Sequence, residues 1–127
     1  MKSAWLAKFS WGWVTALNSQ LCESGHAFHG PTSDGHEEAR QLWEAGYSRE
    51  MSLEEAVELC RRCHKIAPFC FFNGNTFASV IKLALQSAPG ATVVQKHLLS
   101  TIGGHIVAGT ATPEEEQQFR VLLQKLG

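Results

Sequence analysis

Apolar side chains recur along this chain at spacings of three and four residues, the period of an α-helix. No stretch keeps for long the two-residue alternation of a half-buried strand. Trp5, Phe9, Trp13, Leu17 and Leu21 stand four apart, which predicts one apolar stripe along an N-terminal helix. Gly25 to Gly35, with Pro31 and three histidines in or beside it, reads as a loop. A short helix from about Asp34 to Ala45 follows, carrying Ala39, Leu42 and Trp43 and ended by Gly46.

The remaining helices announce their ends. Ser52 and Glu55 form an S-x-x-E capping box, after which Leu53, Ala56, Val57, Cys60, Cys63, His64 and Ala67 keep helical spacing until Pro68. Beyond the turn at Asn73-Gly74, a helix carries Phe77, Val80, Ile81, Ala84 and Leu85 and breaks at Pro89-Gly90. Thr92 to about Val107 predicts another, with Gly103-Gly104 as a weak point or kink. Thr112 caps the last helix, Pro113 fills its first turn, and Glu115 closes a second capping box. Phe119, Leu122, Leu123 and Leu126 are its buried stripe. The expectation is an all-α fold, one compact domain over residues 1–127 with five to seven helices.

Composition adds one feature to this picture. In 127 residues, 44% are hydrophobic and only 18% charged, with a net charge of −1, against about 25% charged in an average domain. Such a chain is neither disordered nor basic enough for a general nucleic-acid binder. A helix-turn-helix reader is also poorly served, since Thr92 to Thr101 offers only Lys96 and His97. The shortage of charge is local. Residues 1–22 carry only Lys2 and Lys8, residues 66–113 carry only Lys82 and Lys96, and neither segment contains an acid. About a third of the surface of the unfolded chain stays exposed in a domain this size. These segments therefore form either a central hairpin wrapped by charged helices or a surface for a protein partner, a second copy included. Four tryptophans point the same way. Trp5, Phe9 and Trp13, together with Phe71 and Phe72, are the candidate interface residues, with burial in the core as the alternative.

The cysteines suggest chemistry and supply little of it. Cys22, Cys60, Cys63 and Cys70 are too sparse for a secreted disulfide framework. The apolar N-terminus is interrupted by Lys8 and Asn18 and lacks a small-x-small cleavage pattern, and no run reaches the length of a membrane helix. We expect a soluble, cytoplasmic protein with reduced cysteines. Cys60-Arg61-Arg62-Cys63-His64 matches the C-x-x-C-H pattern of c-type haem attachment, which needs two thiols for the vinyl groups, an imidazole ligand and export. His97 or His105 would have to supply the distal ligand. Zinc could draw on Cys22, His26, His29 and His36, or on Cys60, Cys63, His64 and Cys70, but neither set has the paired spacing of a structural site. The simpler reading makes the thiols small core hydrophobes, and no cofactor is expected.

The most distinctive stretch is Phe69-Cys70-Phe71-Phe72-Asn73-Gly74-Asn75-Thr76-Phe77. Backbone N–H groups at Asn73, Gly74, Asn75 and Thr76 could hold an anion. Alternatively Gly74 supplies a positive φ while Asn75 or Thr76 caps the helix. The stretch resembles the loop of the Fic/Doc family, small all-α proteins that modify protein hydroxyls with nucleotide-derived groups. Their motif reads H-P-F-x-[DN]-G-N-[GK]-R, and Phe71, Asn73, Gly74 and Asn75 fall on its F, D/N, G and N positions. Phe69 stands in place of the catalytic His, and Phe77 in place of the phosphate-binding Arg. The resemblance implies a transferase without its base and its phosphate anchor, retained for binding. The leading expectation is a non-catalytic helical protein that binds a protein, itself included. A Fic/Doc-like pseudo-enzyme and a metal or haem protein using Cys60, Cys63 and His64 are the alternatives.

Overall fold

The computed structural model describes residues 2–126, which form six α-helices: α1 (Trp11–Ser24), α2 (His36–Gly46), α3 (Leu53–Ile66), α4 (Asn73–Leu85), α5 (Val93–Ala108) and α6 (Pro113–Leu126). No strand occurs among them, and the fold is all-α. Its accessible surface is 6925 Å², close to the roughly 6,700 Å² that size scaling gives for one compact domain of this mass.

Three helices carry the caps their sequences advertise. Ser52 and Glu55 close a full capping box on α3, and Thr112 and Glu115 exchange the same two bonds before α6. Thr92 and Gln95 form a third box on α5, using Gln where the sequence offers no acid. α3 ends at Ala67, whose φ of 59° lets its N–H reach back to Cys63 and His64 before Pro68 forbids another turn. Gly46 does not end α2 from outside. It is the last helical residue, and Tyr47 is the cap.

α4 is the axis of the domain. It packs against α1, α3 and α5, and buries Thr76, Phe77, Ala78, Val80, Ile81, Ala84 and Leu85. α5 returns beside it across the Pro89-Gly90 turn. Gly103 and Gly104 lie inside α5 and bring it close to α4, not at a break. A methyl group on Gly103 would sit 2.7 Å from the Leu85 side chain, and one on Gly104 would meet the Lys82 stem. α6 lies against α5 and buries Phe119 and Leu122.

The predicted N-terminal stripe is corrected. The helix begins at Trp11, capped by Ser10, so Trp5 and Phe9 precede it, and it buries Trp11, Val14, Asn18 and Cys22. Steps of four residues advance about 40° too far on a 3.6-residue helix, so five side chains at that spacing wind around it instead of sharing a face. The segment before α1 is held by a pair of backbone hydrogen bonds between Ser3 and Met51 and by the Trp43 indole N–H, which donates to the Phe9 carbonyl at 2.8 Å. Among the described residues no helix is long and apolar enough to cross a membrane.

Candidate functional site

The connection from α3 to α4 is built around a buried asparagine on α1. Asn18 is fully buried, and its amide donates to the Phe71 carbonyl at 2.8 Å and to the Thr76 hydroxyl oxygen at 3.0 Å. Thr76 passes its own proton to the Phe72 carbonyl at 2.7 Å. The Asn18 carbonyl oxygen receives His29 Nδ1–H at 2.9 Å and the Cys22 thiol at 3.6 Å. Both amide protons and both lone pairs are used, the condition under which a buried amide is tolerated. The knot joins α1, the loop before α2 and the start of α4. Two further bonds dock that loop: Cys70 N–H to the Gly30 carbonyl and Thr32 N–H to the Pro68 carbonyl.

This arrangement revises the reading of Asn73 to Thr76. The positive φ belongs to Phe72, at 60°, and not to Gly74. Neither Asn75 nor Thr76 caps the helix, because Phe72 is the cap residue and makes no side-chain cap bond. Asn73 turns back instead. Its side chain accepts from Phe69 N–H at 2.9 Å and donates to the Phe69 carbonyl at 2.7 Å, closing the loop on itself. Thr76 is buried in the knot, and Asn75 alone of the four is exposed. The positions that the resemblance assigns to the missing His and Arg are core. Phe69 stacks on Trp11 with ring centres 5.6 Å apart, and Phe77 is fully buried between Trp11 and Trp43.

His64 approaches this loop from α3. Its Nδ1 lies 2.8 Å from the Val107 carbonyl, which only accepts, so Nδ1 carries a proton and the other ring nitrogen faces Gly74. The thiols of the same helix face elsewhere. Cys60 is fully buried, and Cys63 points at the Ala39 carbonyl of α2. Burial pushes the Cys60 thiol well up and the Cys63 thiol up to about 12, so neither is a thiolate at neutral pH. Cys60, Cys63 and His64 thus share a helix but do not converge. Cys22 and His29 both reach Asn18, but burial raises Cys22, and its thiol is turned to the amide and not to an imidazole. Among the described residues no three His, Cys, Asp or Glu side chains are gathered as metal ligands would be.

The candidate interface residues divide. Phe71 is 50% exposed and Trp13 is 37% exposed, while Trp5 and Phe72 are half-buried and Phe9 is buried with its ring edge-on to Trp13. The three most exposed large apolar side chains lie elsewhere, Val93 at 84%, Phe28 at 69% and Val94 at 68%, and Leu83, at 44%, follows Phe71. Periodicity missed Val93 and Val94 because they fit the apolar pattern of α5, and spacing along one helix does not show which positions its neighbours cover. It missed Asn18 because a lone amide in an apolar helix reads as a polar interruption. No family model, curated protein or solved structure matches this chain.

Proposed function

We propose that this protein is a non-catalytic helical module that acts through protein–protein contact, with a second copy of itself as its first partner. One observation carries the reading. The surface contributed by residues 2–22 and 66–113 exposes Trp13, Phe71, Leu83, Val93 and Val94, and its only formal charges are lysines. Solvent-facing helix sides of a monomer are normally charged, and large apolar side chains exposed on segments without acids suit contact with a partner. The buried, protonated thiols and the core positions of Phe69 and Phe77 support binding over catalysis.

Light scattering across a concentration series tests it. The mass should rise above the 14.0 kDa of one chain as concentration increases, and Leu83→Ser/Val93→Ser/Val94→Ser should suppress the rise. A monomer at every concentration overturns self-association.

A second reading, a nucleotide or phosphate site at Asn73-Gly74-Asn75, draws on His64, whose ring nitrogen faces Gly74 at the first turn of α4. Titration calorimetry with ATP and with inorganic phosphate tests it. Heat lost in Asn75→Ala and His64→Gln, with folding intact, would favour this reading, and no heat in the wild type removes it.

A further inference from the structure

Three shallow clefts form one continuous belt, and its chemistry changes along its length. At one end, Lys8, Leu83, Ser87 and Pro89 surround Trp5, and the only formal charge is Lys8. Trp5 also bounds the middle cleft, with Leu53, Glu54, Leu123 and Leu126. Ser52 and Glu54 lead from there into a groove between α3 and α6 of about 430 Å³. The floor of that groove is Val57, Ile106 and Phe119. Its walls are Glu54, Glu55 and Glu58 from α3 and Glu116 from α6, against a single lining base, Arg120. Lys2 and Arg61 lie within 4 Å of Glu55 and Glu58, which leaves Glu54 and Glu116 without an ion pair among the described residues.

We infer that two copies of this chain pair through the belt centred on Trp5, the lysine-bearing apolar end of each lying against the acidic groove of the other. The inference rests on the self-association proposed above and moves its surface: Leu83 belongs to both, whereas Trp13, Phe71, Val93 and Val94 line none of the three clefts. A belt whose charge changes sign about one residue is complementary to itself when turned end for end, which is the requirement of a two-fold interface. The apolar floor of the groove matches the apolar character of the opposite end, so apolar contact and charge complementarity run together along the belt. Trp5 is suited to the axis. It is half-buried and borders two of the clefts.

The test is sedimentation velocity on the whole chain. Wild type is expected to form a dimer that weakens as sodium chloride rises from about 50 mM to about 1 M, because exposed ion pairs are screened. Lys8→Glu/Ser87→Glu places two carboxylates opposite the acidic groove, and Glu54→Lys/Glu116→Lys reverses the groove itself. Each variant alone should dimerise at least about tenfold more weakly. Mixed one to one, they should recover a dimer, because each altered end then meets an altered partner. A wild-type dimer insensitive to salt, or variants that dimerise as well alone as mixed, overturns the belt and leaves self-association standing. A wild type that stays monomeric overturns both. Circular dichroism confirms folding of the variants, and the salt series on wild type decides the matter should either variant fail to fold.

Discussion

Asn18 and Thr76 stand 58 residues apart in sequence and meet in the core, the amide nitrogen of one 3.0 Å from the hydroxyl oxygen of the other. Both side chains are fully buried, and the chain of bonds through them ends on carbonyls of Phe71 and Phe72. The loop that precedes α4 is therefore fixed by α1. Asn18→Ala should cost at least about 2 kcal/mol, since it strands the Phe71 carbonyl and the His29 N–H, and should lower Tm by roughly 6–10 °C. Thr76→Val, close in shape, should cost about 1 kcal/mol. Thermal unfolding of both variants and of the double variant gives their coupling.

Two backbone positions respond in opposite directions. A methyl group on Gly35 would lie 2.4 Å from the Ile66 carbonyl oxygen and 2.8 Å from that of Ala67. Both obstacles are backbone, so Gly35→Ala must push the loop off the end of α3. It should destabilise by about 1–3 kcal/mol. Ala67 has the reverse problem, since its φ of 59° is strained for any residue with a Cβ. Ala67→Gly should stabilise by about 0.5–1 kcal/mol, the left-handed relief outweighing the extra chain entropy. Urea denaturation of each variant reads the sign.

The thiols should separate cleanly by reactivity. Cys70 is exposed, while Cys22, Cys60 and Cys63 are buried. Ellman's reagent should titrate Cys70 alone in the native protein and all four thiols after denaturation. Cys70→Ser should abolish the native signal without lowering Tm measurably. Fast labelling of a second thiol would show that a buried cysteine is accessible.

Stability should decline at both ends of the pH range, for different groups. The Ser52 backbone N–H and hydroxyl hold Glu55 below its ordinary value, and the Thr112 backbone N–H followed by the His105 ring holds Glu115 down. A carboxyl lowered in the folded state stabilises above its unfolded pKa of about 4.3. That contribution is lost as pH falls through the folded value, so it fades below about pH 4.3. Glu55→Gln/Glu115→Gln should flatten the acid limb. Cys60 and Cys63 are raised, Cys63 to about 12. The unfolded chain releases those protons from about pH 8.5, so stability should fall from there upwards. Cys60→Ala/Cys63→Ala should reduce that alkaline slope to the part owed to Cys22, which burial also raises, whatever it does to stability at neutral pH. Urea midpoints between pH 2 and 10 check both limbs.

By itself the amino-acid order determined the helical class, the single domain and most helix ends. Capping boxes, Pro68 and Pro89-Gly90 act within a few residues, and local interactions are what a sequence displays. The tertiary structure decided which faces are buried. Trp11 and Val14 took the core in place of the stripe from Trp5 to Leu21, because Ser10 sets where the helix starts and the 3.6-residue turn sets which side chains align. Asn18, Thr76 and His29 became one network only when α1 was laid across the α4 entry, and no local pattern encodes a bond spanning 58 residues. The same is true of the belt. The segments without acid were legible in the sequence, but the acidic groove joins α3 to α6, and only packing brings Glu54 and Glu116 to one cleft.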